Sequence, residues 1–171
     1  MEKVKNPTKV DNLLELIKPA FKGKMFATDW LEKKNWIAVP VPDTIGEESA
    51  KKIAEMSSFV NEEYAFAIPL EYQDSLDCHK IYMSVEDIIE FSVEFSLRGH
   101  ILFPKNLVYS ILFEGDHYFI IAGPKSVVEI GVGTEVTLAF DKFKKYAKES
   151  GELEGTEQWL SSIAESYEKL L

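Results

Sequence analysis

The sequence has one cysteine, three histidines and no apolar run long enough to cross a bilayer. Each scarcity removes a class of protein. The lone Cys78 cannot close an intramolecular disulfide, and residues 1–5 carry no apolar core of a secretory signal, so a reducing, cytoplasmic compartment is expected. The most apolar stretch, residues 108–113, is interrupted by Tyr109 and Ser110 and falls far short of the ~20 residues of a membrane helix. No integral membrane protein is therefore expected. One cysteine also excludes zinc-ribbon ligation, and His79, His100 and His117 show neither His-x-x-x-His nor Glu-x-x-His spacing. The least unfavourable metal set, His100 and His117 with Asp116, reads more simply as hairpin-turn side chains in water. No metal site is assigned.

Phosphate-binding and nucleophilic motifs are equally thin. Gly131-Val132-Gly133-Thr134-Glu135 holds two glycines ahead of a helix but lacks a third glycine and any Gly-Lys-Ser/Thr. It reads as a flexible break before a helix capped by Thr134. Cys78 adjoins His79, yet neighbours on an extended segment point to opposite faces, which rules out a thiolate–imidazolium pair there. Cys78 is expected to be an ordinary buried or half-buried thiol and His79 a surface residue. Carboxylate neighbours such as Glu62-Glu63 and Glu86-Asp87 are too common in this chain to mark an acid–base pair. Trp30 and Trp36, with Tyr64 and Tyr72, read as core completion before they read as a pocket. No catalytic residue and no cofactor is assigned.

What the chain does contain is enough to fold. At 171 residues, 46% hydrophobic and 28% charged, it is too apolar for a disordered chain and the right size for one domain spanning 1–171, with residues 1–8 left outside the ordered part. Twenty-nine acidic residues against nineteen basic ones give a formal charge of −10, which disfavours nucleic acid and anionic membrane and favours a basic protein partner. The basic clusters, Lys51-Lys52 and Lys142-Lys144-Lys145-Lys148, read as ion-paired solvated helix faces.

Val10, Leu13, Leu14, Ile17 and Phe21 recur at three- and four-residue steps, predicting a helix over 10–21 that Pro19 disturbs and Gly23 closes. Short strands are expected at 25–28 and 35–41 around a Glu32-Lys33-Lys34 turn, with Pro40 and Pro42 making the second an edge strand or ending it at Val39. A helix at 47–59 follows, with Ala50, Ile53 and Ala54 inward and Phe59 a further candidate, then strands at 64–70 and 80–83. Ser84-Val85-Glu86-Asp87 has the pattern of a capped start to a short helix. From Phe91, alternation of Phe91, Val93, Phe95 and Leu97 with polar residues predicts a half-buried strand, with a continued helix as the alternative. The strongest element is a central hairpin, 107–113 and 117–122 around Glu114-Gly115-Asp116, with one side chain of each adjacent pair inward. Helices are expected at 134–147 and 156–171, the latter after a glycine-rich linker at 151–155, linker and helix together filling the C-terminal stretch 150–171. The order predicts an α+β fold, a mostly antiparallel sheet with helices from both termini packed on it.

Three functions follow as expectations. The first is a non-enzymatic protein-binding or regulatory domain, of the kind immunity proteins and antitoxin-like inhibitors provide, recognising a basic partner through loop carboxylates at Asp74, Asp77, Glu62, Glu63, Glu114 and Asp116. The alternative is a small-molecule-binding domain or enzyme whose site is assembled from residues distant in sequence, marked by a pocket of several hundred cubic ångströms with converging polar groups. The third is a structural protein that associates through its edge strand.

Overall fold

The computed structural model describes residues 1–42, 45–70, 78–96, 98–114 and 118–171, with the backbone alone at 7 and 151–154. In chain order, β1 (Glu2–Lys3) and α1 (Pro7–Ile17) lead through a 3₁₀ turn (Lys18–Ala20) into a small hairpin, β2 (Phe21–Lys22) and β3 (Met25–Phe26). Next come α2 (Thr28–Lys34), β4 (Ile37–Pro42), α3 (Glu47–Phe59), β5 (Tyr64–Pro69), β6 (His79–Tyr82) and α4 (Val85–Glu94). A meander of β7 (His100–Phe103), β8 (Ser110–Phe113) and β9 (Tyr118–Gly123) follows, then α5 (Lys125–Val132), α6 (Val136–Glu154) and α7 (Glu157–Glu168).

Seven strands form one antiparallel sheet in the order β1-β6-β5-β7-β8-β9-β4, which is the α+β architecture expected. Register assigns the faces, because directly paired residues share one. Phe66, Lys80, Phe103, Ile101, Leu112 and Ile120 lie on one face, the side on which Tyr118 packs edge-on against Phe143 of α6 and Trp159 of α7. The opposite face carries His100, Phe113 and Ile121, which meet Phe91 of α4 and Gly131 of α5. The sheet is thus sandwiched between helices, and its central strands β7, β8 and β9 are buried almost throughout rather than alternating between a dry and a wet face. Every residue of β7 and β9 is buried.

That sandwich explains several corrections. Ile111, Leu112, Phe119 and Ile120 are all 0–1% exposed, so both members of each adjacent pair in the hairpin point into core, not one. From Phe91 to Glu94 the chain continues α4, the alternative to the strand expected there. Ser84 Oγ accepts from the Asp87 amide and donates to its carboxylate, α4 buries Ile88 and Phe91 one turn apart, and Val93 is 71% exposed. The Glu32-Lys33-Lys34 segment is the end of α2, closed by Asn35 in the left-handed region (φ 54°) with two lysines complementing the helix C-terminus.

Strand β7 and helix α5 had no reading of their own. The break expected at 131–133 is the end of α5: Gly133 caps it at φ 68°, while Gly131 lies inside, where a Cβ would meet Met56 Sδ at 2.6 Å and Ile121 Cδ1 at 2.9 Å. Thr134 does not cap α6, which begins at Val136, with the Ala139 amide donating to the Glu135 carbonyl. The linker expected at 151–155 shrinks to Gly155, at φ 72°, and Thr156, because α6 continues to Glu154. Strand β4 is an edge strand, as Pro40 and Pro42 require, and runs past Val39 to Pro42.

Candidate functional site

Of the carboxylates expected to form one recognition surface, the three described ones, Glu62, Glu63 and Glu114, lie at two ends of the sheet. Glu62 and Glu63 precede β5, at the end of the sheet where β6 and β7 finish. Glu114 follows β8 at the opposite end. Glu63 is exposed, whereas half-buried Glu62 accepts a hydrogen bond from the Asn106 side-chain amide. The Glu114 carboxylate is paired with Lys24 at 2.9 Å and is only 10% exposed. Asp74, Asp77 and Asp116 lie outside the described residues.

The weighed chemical candidates resolve into packing. Cys78 is 1% exposed, and burial pushes its thiol up to about 12 against the opposing pull of the Lys9 charge, so it stays protonated. The His79 ring packs on Phe95 with centroids 5.1 Å apart, half-buried rather than on the surface. His100 is 1% exposed between Phe91 and Phe95, its Nδ1 2.8 Å from the Arg98 carbonyl; His117 and Tyr72 lie outside the described residues. Among the described residues no group of three His, Cys, Asp or Glu side chains could hold a metal ion, and no helix is long and apolar enough to cross a membrane. Trp30 and Trp36 pack edge-to-face at 5.2 Å with the Lys34 ammonium over both rings. Lys51, Lys52, Lys144 and Lys145 are ion-paired to Glu47, Glu48, Glu168 and Glu149.

A concave site lies elsewhere, between α1 and the sheet. Asn6 caps α1 by accepting from the Lys9 amide at 3.3 Å, and Pro7 at the first helical position presets the backbone, so the helix starts three residues before its first apolar residue. With Val10, Leu13 and Ile17 buried, the i, i+4 row Thr8, Asn12 and Leu16 overhangs β5. Under it is a cleft of about 530 Å³ floored by Tyr64 and Phe66 and closed by Lys9 and Lys105. A second hollow of about 300 Å³, lined by Glu2, Lys3, Val4, Lys5 and Lys80, shares Asn6 and Lys9 with the first.

The site is basic in an acidic protein. The Lys9 ammonium sits 5.1 Å from the Phe66 ring centre, and the Lys80 ammonium sits 4.2 Å and 4.6 Å from those of Tyr64 and Tyr82. Lys80 donates to the Tyr82 hydroxyl at 3.2 Å, which raises the amine further above its ordinary range. Among the described residues Lys5, Lys9, Lys80 and Lys105 form no ion pair, and Glu2 is the one carboxylate lining either hollow. Such a lining offers charge, amide hydrogen bonds and an aromatic floor. It suits reversible binding of an anion with an apolar part.

No family model, curated protein or solved structure matches the chain. The cleft residues were passed over in the sequence because they are scattered at 5, 9, 64, 80 and 105 and join only when β1, β6, β5 and β7 pair and α1 covers β5. Two local signals were present: the Asn6-Pro7 helix start, and Leu16, an apolar residue off the buried stripe that remains 41% exposed.

Proposed function

We propose that this protein is a binding domain for a small organic anion, held non-covalently in the cleft between α1 and β5. The observation that carries this reading is a cavity of about 530 Å³, within the range of ligand pockets, whose polar groups converge from three separate stretches of chain. Lysines at 9 and 105 supply the positive field, Asn6 and Asn12 the neutral donors and acceptors, and Tyr64, Phe66 and Leu13 the apolar contact. A thermal-shift screen of amphipathic carboxylates, sulfates, phosphates, amines and neutral analogues tests it. Anions are expected to raise the melting temperature, with Lys9→Glu and Leu16→Trp removing the effect. Stabilisation by amines, or by anions equally in wild type and both variants, would contradict it.

A second reading rests on the charge of −10, which favours fast association with a basic protein partner, as for an immunity or antitoxin-like inhibitor. Exposed Glu63 is then a contact residue, with Asp74, Asp77 and Asp116 as further candidates. An association rate that stays flat as salt is raised past physiological strength would dismiss it.

A further inference from the structure

The two hollows differ in character, and the difference points to a ligand with two ends. Along α1, Leu13 and Leu16 carry the larger hollow away from Lys9, and the seven steps from Lys9 to Leu16 span about 10 Å at 1.5 Å per residue. In the other direction Lys3, Lys5 and Lys80 join Lys9, so that four lysines and one carboxylate, that of Glu2, line the smaller hollow. Lys9 and Lys80 flank the same ring pair, Phe66 and Tyr64, whose centroids are 5.6 Å apart. Like charges placed this way repel one another, and an anion set among them removes the repulsion. A carboxylate or a sulfate ester brings one charge. A phosphomonoester brings about −1.5 to −2 at neutral pH and three acceptor oxygens, matching several ammonium donors at once.

Resting on the anion-binding reading above, and narrowing it, we propose that the ligand is a soluble organic phosphate. Its phosphomonoester lies among Lys5, Lys9 and Lys80, and its apolar body runs over Tyr64 toward Leu13 and Leu16. Titration calorimetry with octyl phosphate, octyl sulfate and inorganic phosphate tests the assignment on the full chain. Octyl phosphate is expected to bind on the order of tenfold more tightly than octyl sulfate at about pH 7.5, and inorganic phosphate more weakly than either. The advantage over sulfate should shrink as the ester takes up its second proton, with a pKa of about 6. Lys80→Gln and Lys5→Gln should each lower the phosphate affinity toward that of sulfate, whereas Leu16→Asp should weaken both octyl ligands. Equal affinities for phosphate and sulfate in wild type would overturn the phosphate assignment and leave anion binding standing. If no octyl anion binds, both readings fall. Retention on phosphatidic-acid vesicles without octyl phosphate binding would also overturn it, by assigning the lysines to a membrane surface.

Discussion

Gly131 shows how a single residue records its surroundings. Alanine is a better helix former than glycine by about 1 kcal/mol, so at an exposed helical position the exchange stabilises. At Gly131 the added methyl would press on Met56 and Ile121, both buried and fixed between α3, α5 and the sheet. Overpacking of this kind costs about 1–3 kcal/mol. Gly131→Ala is therefore expected to lower the urea midpoint with an unchanged denaturant slope, and an unchanged or higher midpoint would show that the contact relaxes freely. In the sequence the same glycine looked like part of a flexible break, because a glycine required for close approach and one required for a turn are written with the same letter. Cys78 is a simpler case: a buried or half-buried thiol was expected, and it is 1% exposed just ahead of β6. Cys78→Ser should leave ligand binding intact.

Among the elements, the informative error lies at 91–98. Period-two alternation marks a strand with one wet face, but this sheet has none over its central strands, so those strands are buried runs such as Tyr118–Gly123. The first part of the segment, through Glu94, belongs instead to α4, whose Val93 faces solvent. Because the central hairpin is enclosed on both sides, Ile111→Ala and Leu112→Ala should each cost about 2–5 kcal/mol although they point in opposite directions. Chemical denaturation of the two variants decides: a large loss at only one position would restore the half-buried hairpin and contradict the two-sided sheet. The ends of α1 show the reverse situation. Asn6 and Pro7 were readable as cap and first residue, but the apolar stripe drew the start to Val10.

At the scale of the molecule, the core is held by large aromatic side chains with polar tips. Burial raises the hydroxyls of Tyr109, Tyr118 and Tyr167 well above the ordinary tyrosine range, each in spite of or without much help from a neighbour: Ser57 bonds Tyr109, and the Phe26 amide donates to Tyr167. A folded-state pKa above the unfolded value of about 10 means that this stability is fully present below about pH 10 and is lost as pH rises toward the folded values. In an alkaline titration these three phenols should ionise only together with loss of tertiary structure, and their ionisation before unfolding would contradict their burial. The fold class, most of the strands and the long helices were legible because periodicity and turn residues act locally. The placement of the acidic residues was not, since net charge carries no positions: among the described ones, the sheet sends Glu62 and Glu63 to one end and Glu114 to the other. The cleft escaped notice for the same reason, its lysines being few in an acidic chain and brought together only when the strands pair and α1 covers β5.

The central claim is that the cleft between α1 and β5 is where this protein binds. Amide chemical-shift mapping of isotope-labelled protein, titrated with octyl phosphate, tests it most directly. Saturable shifts are expected at Asn6, Lys9, Leu16, Tyr64, Lys80 and Lys105, with α3, α4 and α5 on the far face unmoved, and Lys9→Glu should abolish them. Shifts confined to the far face, or none at these residues up to saturation of any observed binding, would contradict the account.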